Sequence, residues 1–341
     1  MSCVVFLCGE DELDKERRGY ARAFARVAPL RLIAPSDDWR ARLAGLDPIA
    51  VINPDGRPWL PDGIERIDVP TAVFHIDTYV ATERRVRWSA LYDVAFVFHP
   101  GFERRFANGR LLPHAAEGEL FDAPALPRTF EVGWVGRAGR SIYSDRGRIL
   151  RALASRFVTN DIERYYTPEE MADVYRRSKI VVNVSRDDHP QDANMRCFEA
   201  MAAGALLVTR LPTELTDLGF AENVHFAGYR DAGEAADVVA RWLARDDERG
   251  EIARRARSLV LREHTYDARV QTILSAMERH VRPDAAEAAA LHFDYHVEYA
   301  DARRALRAFR RLAAASPPRG LRESWRLGRL AAKLVKRQWR R

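Results

Sequence analysis

Between Asp192 and Thr209 the sequence reads DANMRCFEAMAAGALLVT, in which one carboxylate, Glu199, heads a run of small and apolar residues ending in a β-branched strand signal. Ahead of it stand Asn194 and Asp192, either of which can cap a helix beginning near Met195, and Arg196, whose planar guanidinium matches the oxygens of a diphosphate. The first turn of such a helix offers backbone N–H groups and the positive end of its dipole, so an anion is favoured there. A glutamate one turn further in, above the small AAGA segment, can accept two hydrogen bonds from a ribose diol. The same glutamate can simply complement the helix dipole, and spacing alone leaves both readings open.

The elements that must position these residues follow from hydrophobic periodicity. CVVFLCG, LRLIAPS, IAVINPDG, TAVFHIDT and DVAFVFHPG are short β-branched and aromatic runs, each stopped by Gly, Pro, Ser or Asp, and helix-like segments such as DELDKERRGYARAFARVA and ATERRVRWSALY lie between them. That alternation predicts a parallel sheet with helices on both faces. It lapses in the proline-rich GELFDAPALPRTF and restarts with FEVGWVG, giving a second α/β set that contains TPEEMADVYRRSK, IVVNVS and ALLVT. The expected organisation is an N-terminal Rossmann-like domain over 1–125, a C-terminal Rossmann-like domain over 126–282 and a helical extension over 283–341. Two such domains leave a cleft between the carboxyl ends of their sheets, where sheets of this kind bind ligands. The strand IVVNVS followed by the polar turn RDDHPQDAN puts the Glu199 helix at such an end.

Composition bounds the rest. The 341 residues are 47% hydrophobic and 30% charged, as in a globular protein with a sizeable core. No run of 18 apolar residues and no secretory leader is legible, so the expected setting is cytoplasmic. Cys3, Cys8 and Cys197 lack metal-ligand spacing and are expected to be buried thiols. The net charge of +6 is uneven: nine Lys or Arg against one Glu between Pro317 and Arg341 give that tail +8 and leave the other residues at −2. In the tail Leu321, Trp325, Gly328, Ala332, Val335 and Trp339 recur every three or four residues, each followed by a basic residue. That is a basic amphipathic helix suited to an anionic membrane surface; a protein partner is the alternative, and nucleic acid is disfavoured.

Taken together, SKIVVNVSRDDHPQDANMRCFEAMAAGALLVT, HFAGYRDAGEAADVV and REHTYDARVQTIL resemble the carboxyl-terminal domain of glycosyltransferases related to the spore maturation protein CgeB, within the GT-B group that uses nucleotide-sugars. HIDTY, LYDVAFVFHPG and FEVGWVGRAGRSIYSDRGRIL are similar in order and character to that family's first domain and crossover, so the resemblance spans about residues 70 to 275. It implies a nucleotide diphosphate-sugar donor, with Glu199 on the ribose, Asn194 and Arg196 facing the diphosphate, and Gly136 with Arg137 beside the phosphates. It departs at one point: where many retaining members carry a second glutamate, eight positions before the first, this chain has Gln191, so the stereochemical outcome stays open.

Sugar transfer requires neutralising a departing diphosphate, and Arg137, Arg146 and Arg196 are the candidates. No metal and no other cofactor is expected: Asp187-Asp188 lacks the D-x-D form of the metal-dependent transferases. A base should come from the first domain, where His75 and Asp77 end one predicted strand, with His99 and His114 at the next two as acceptor-side or cleft candidates. The expected activity is transfer to a cell-envelope or lipid-linked glycan at the inner membrane surface. The alternatives are a sugar-nucleotide epimerase of the same fold and a non-catalytic nucleotide-sugar-binding module that recruits a partner through its tail. GWVGRAG is not G-x-G-x-x-G and no P-loop occurs, which disfavours a dehydrogenase or a P-loop NTPase.

Overall fold

The computed structural model describes residues 2–54, 59–121, 126–137 and 144–338, excluding the side chains of 15, 144 and 331–338. The chain divides into two compact units. Unit 1 comprises 1–14, 24–111 and 274–341, and unit 2 comprises 15–23 and 112–273.

Unit 1 is built on six parallel strands, β1 (Ser2–Phe6), β2 (Leu30–Leu32), β3 (Asp47–Asn53), β4 (Thr71–His75), β5 (Val94–Val97) and β6 (Gly109–Leu111), in the order β2-β1-β3-β4-β5-β6. The central strands are apolar at nearly every position because helices cover both faces of a parallel sheet. On one face Val5, Val51, Val73, Ala95 and Val97 pack with Trp39, Trp59, Trp88 and Tyr92. On the other, Phe74 meets Phe6, Phe96 and Phe98 at ring-centroid separations of 6.3, 5.8 and 5.9 Å.

Unit 2 has four parallel strands, β7 (Phe130–Gly133), β8 (Ser178–Val182), β9 (Leu206–Arg210) and β10 (Ala227–Tyr229), in the order β10-β9-β8-β7. Alternate residues divide its core in two, as the two-residue period of a strand requires. Ile180, Val182, Leu206 and Val208 pack with α4 (Ser144–Arg156) and α7 (Ala235–Leu243). Val181 and Leu207 pack with α5 (Pro168–Arg176), α6 (Met195–Ala202) and α8 (Asp246–Glu263). Thr167 and Glu170 close a capping box at the start of α5, with Pro168 at its first position. All three cysteines are buried and form no disulfide.

The units differ in extent from the domains expected from sequence. Residues 112–121 belong to unit 2, where Ala116 and Phe121 join the core and Ala116 exchanges backbone hydrogen bonds with His264 and Tyr266 at 2.9 and 3.2 Å. Most of α1 (Lys15–Ala25) also groups there: Tyr20 stands edge-on to Tyr266, and a Cβ on Gly19 would lie 2.2 Å from that ring. Part of the proline-rich segment, 122–125, lies outside the described residues.

The helical extension groups with unit 1, to which α10 (Ala285–Glu298), α11 (Ala302–Ala315) and α12 (Pro317–Gln338) belong. Tyr295 of α10 packs on Trp88 of α2 (Thr82–Ser89) with ring centroids 5.7 Å apart. Residues 284–316 form two helices, since Ala300 is left-handed at φ 58° and the Asp301 carboxylate caps α11 by accepting from the Arg304 amide. PPRG opens α12, because proline is well suited to a first turn.

The approach to α10 is pinned by a buried ion pair. Arg282 donates to both carboxylate oxygens of Asp93 and to the carbonyls of Glu65, Ile67 and Val69, while the amides of Thr71 and His280 also donate to Asp93. Burial pushes the Asp93 carboxyl upward, but these donors, Arg282 foremost, more than offset it and hold its pKa below the usual value. Arg282→Met strands a buried carboxylate and is expected to cost about 3–5 kcal/mol in denaturant unfolding. A depressed folded pKa means that the wild-type contribution is complete above about pH 4, the ordinary aspartate range, and is lost as pH falls through the folded value. The difference between wild type and Arg282→Met is therefore expected to shrink in acid.

Candidate functional site

The residues first singled out from sequence gather at the carboxyl end of the unit 2 sheet. Asn194 is the N-cap of α6 and accepts from the Arg196 amide at 3.1 Å, while its own amide group donates to Asn183 Oδ1 and Ser185 Oγ, both at 3.1 Å. Asn183, just past β8, is the hub of this turn. Its Oδ1 also accepts from Arg196 Nη1 at 2.9 Å, its Nδ2 donates to Thr209 Oγ1 at 3.1 Å, and its carbonyl accepts from the Tyr229 hydroxyl at 3.0 Å. Four segments that follow or form strand ends are thereby held in one arrangement.

Arg196 and Arg146 flank the Trp134 indole, with their guanidinium carbons 5.1 and 5.8 Å from its ring centroid. Arg196 donates from Nε and Nη2 to the Val135 carbonyl at 3.1 and 3.0 Å. Arg146, only 6% exposed, donates to the Val184 carbonyl at 3.0 and 2.7 Å and to the Arg137 carbonyl at 2.7 Å. Both therefore shape the turns after β7 and β8 as well as adding positive charge. Arg137 is the exposed guanidinium of the three. Gly136 is required by close approach, since a Cβ there would lie 2.6 Å from Arg196 Nη2 and 2.9 Å from the Trp134 ring.

Glu199 sits inside α6 at 4% exposure. The phenols of Tyr175 and Tyr266 are pushed up first by burial, with the Glu199 charge a lesser contributor to both. Gln191 does not stand alone: its amide lies 3.2 Å from His189 Nδ1, and His189 Nε2 is 2.7 Å from the buried carboxylate of Glu214, whose other oxygen accepts from the Ala193 amide at 3.0 Å. A buried carboxylate thus does lie beside Gln191, supplied from the turn after β9.

His75 is 1% exposed, stacks on Phe106 with centroids 5.0 Å apart and meets Ser89 Oγ at 2.6 Å, so it is enclosed in the unit 1 core. Asp77, two residues on, is half-buried with a left-handed φ of 49°. Its loop is tied down by Arg85, which donates to the Ile76 carbonyl at 2.5 Å, and by Thr82, which donates to the Thr78 carbonyl at 2.8 Å. His99 in unit 1 is buried, with its ring 4.9 Å from that of Tyr79. His114 belongs to unit 2, where its Nδ1 lies 2.8 Å from Glu16 and Arg269 donates to its carbonyl at 3.1 Å.

Sequence reasoning missed Asn183, Trp134 and the His189–Glu214 pair. The signal for Asn183 was an amide inside the apolar run IVVNVS, where an unsatisfied polar group is costly and must find partners. Glu214 carried no local signal, because its partners are 21 and 25 residues away.

Two parallel α/β units, one with a capped, arginine-lined helix start at its strand ends, are the architecture of the GT-B class. Residues 138–275 match the family described as glycosyl transferase-like. Sucrose-phosphate synthase from Thermosynechococcus elongatus is similar in structure at a TM-score of 0.60 and 15% identity, over 80% of this chain and 97% of that one. HepE from Anabaena, solved with UDP and glucose, gives 0.56 at 12% identity over 80% and 98%. A glycosyltransferase from Rickettsia africae gives 0.58 at 11% identity over 80% and 97%. No curated protein matches the chain. Residues 138–275 thus form a glycosyl transferase-like domain, and the chain has the GT-B fold.

Proposed function

We propose that this protein moves a sugar from a nucleotide diphosphate-sugar to a cell-envelope or lipid-linked glycan acceptor at the inner face of a membrane, and that within the GT-B group it is CgeB-like. The observation that carries the donor reading is the start of α6, where a capped helix N-terminus, the Arg196 guanidinium and the Asn183 hub converge one turn before Glu199. Such an end favours a diphosphate, and the carboxylate suits a ribose diol. HepE, similar in fold, was solved with UDP, which makes uridine nucleotides the first donors to try. In this reading Arg137 meets the leaving diphosphate directly, and Arg146 and Arg196 hold the turns in place while contributing positive potential. Asp77 is the preferred base over the enclosed His75, because a base must reach the acceptor hydroxyl. A left-handed aspartate held by a well-bonded loop is the kind of strain found at functional positions.

The membrane part rests on α12. Gly320 packs on Ala313, Leu330 is buried against Phe293, Ala305 and Ala308, and Leu327 joins them, so one face of the helix is already docked. The other presents Leu321 at 77% exposure and Trp325 at 56%, with exposed Arg322 and Arg329 beside them. An apolar strip bordered by guanidinium groups suits the headgroup layer of an anionic bilayer. The side chains of Ala332 and Val335 and the whole of Trp339 lie outside the described residues. Among the described residues no helix is long and apolar enough to cross a membrane.

The test is nucleoside diphosphate release from a panel of nucleotide-sugars, with a membrane glycolipid extract as acceptor and chelator in excess. Acceptor-dependent release that persists in chelator is the expected result, because arginines and helix ends carry the leaving-group charge. Loss in chelator restored by magnesium would place the chemistry in a metal-dependent class. An epimer formed without acceptor would favour the epimerase, and binding without turnover the non-catalytic module.

A further inference from the structure

Unit 2 holds a second feature that the donor reading does not use. A cavity of about 530 Å³ opens at the carboxyl end of α6, where Ala203 and Gly204 line it, beside Lys179 at the amino end of β8. It is thus at the opposite end of both elements from the Asn194 turn. Its basic lining consists of Arg128, Arg176, Lys179, Arg249, Arg254 and Arg257, and no carboxylate is among the described residues that line it.

Part of this charge is compensated from outside the wall. Arg176, Arg249 and Arg254 pair with Asp173, Asp246 and Glu251 respectively. Arg128 and Arg257 donate to carbonyls. Arg128 donates to those of Tyr175, Ser178, Ala203 and Gly204 at 3.2, 2.8, 3.3 and 2.6 Å, and Arg257 to those of Ala202 and Phe121 at 3.1 and 3.3 Å. Six cations therefore crowd one concave space. The crowding is visible at Arg128, whose pKa is lowered first by burial and then by Arg249, Arg176 and Arg257. An arginine fixed in this way presents a rigid guanidinium edge that suits phosphate oxygens. The volume is in the range of small-molecule sites and is larger than one phosphate needs.

We infer that this cavity is a binding site for an anion carrying two or more phosphate groups, separate from the donor site at the other end of α6. The bound anion relieves the mutual repulsion of Arg128, Arg249 and Arg257 and bridges α8 to the start of β8. Two sources share that chemistry, a soluble polyphosphorylated metabolite and a phosphorylated lipid headgroup.

The chain makes the test site-specific, because its four lysines are Lys15, Lys179, Lys333 and Lys336, and Lys179 lines the cavity. The full-length protein is treated with a lysine-acylating reagent, with and without tripolyphosphate, and each lysine is followed by mass spectrometry. Tripolyphosphate is expected to slow modification of Lys179 but not of Lys15, in wild type and in Glu199→Ala alike. Arg254→Glu, on an exposed side chain outside the carbonyl-held set, is expected to raise the half-protecting concentration by about tenfold or more, as loss of one charge-assisted contact would. A second arm replaces tripolyphosphate with phosphatidylcholine vesicles with or without phosphatidylinositol bisphosphate, using a Leu321→Gln/Trp325→Gln protein to weaken binding through α12. Protection by tripolyphosphate assigns a soluble ligand, and protection by phosphatidylinositol bisphosphate vesicles alone assigns a headgroup. Unchanged Lys179 reactivity in both arms, or equal protection in wild type and Arg254→Glu, overturns the site.

Discussion

Glu199→Ala is expected to weaken nucleotide-sugar binding at least about tenfold, since one lost charge-assisted hydrogen bond is worth about 1.5–3 kcal/mol and about 1.4 kcal/mol is a factor of ten. The expectation depends on where the structure puts the residue. Glu199 is 4% exposed on a helix whose first turn is fixed by hydrogen bonds among Asn194, Asn183 and Arg196. Alanine favours helix, so the turn that would receive the diphosphate should persist. The measurement is calorimetric titration with UDP and with UDP-sugars, alongside thermal unfolding of the same samples. Glu199→Gln, which keeps the shape and loses the charge, should fall between wild type and alanine. A folded Glu199→Ala protein with unchanged nucleotide affinity would remove the ribose assignment, and the glutamate would then be a buried structural group.

The second large effect concerns membrane association. Residues 317–341 carry a charge of +8 and the remainder −2, so attraction to anionic lipid should reside in that segment at about 1 kcal/mol per basic residue near the surface. Insertion of Leu321 and Trp325 should add a part that survives high salt. Deleting 317–341 is the direct experiment, but it also strips Leu327 and Leu330 from Phe293 and Ala308. A surface variant avoids that. Leu321→Gln/Trp325→Gln with Arg322→Glu/Arg329→Glu changes only exposed side chains and leaves the docked face intact. Both forms are expected to stay in the supernatant when anionic vesicles are sedimented at low salt, while wild type pellets and is partly released as salt rises. Equal sedimentation of variant and wild type, or indifference of wild type to anionic lipid, would exclude the bilayer and make a protein partner the better occupant of the outer face.

The parallel sheets, the thiol state of the cysteines and the start of α6 were legible in the sequence because each depends on residues within a few positions of one another. Apolar runs such as CVVF and TAVFH can satisfy themselves only inside a doubly covered sheet, and Asn194 before Met195-Arg196 is a local capping signal. What those signals do not carry is which segments share a core. The placement of 112–121 and of most of α1 in unit 2 depends on Ala116 meeting His264 and on Tyr20 meeting Tyr266, pairs set by packing and not by sequence distance. The same holds for chemistry. His75 and Asp77 are equivalent by spacing, yet Phe106 and Ser89 enclose the histidine while the left-handed turn leaves the aspartate half-buried. The period of α12 reveals an apolar stripe, and only tertiary packing decides that Leu327 and Leu330 face the body while Leu321 and Trp325 face out. The six basic residues of the cavity are scattered from 128 to 257 and come together only because α5, β8, α8 and the segment before β7 meet in the fold: charge density is a property of space, and sequence records it only when the charges are neighbours along the chain.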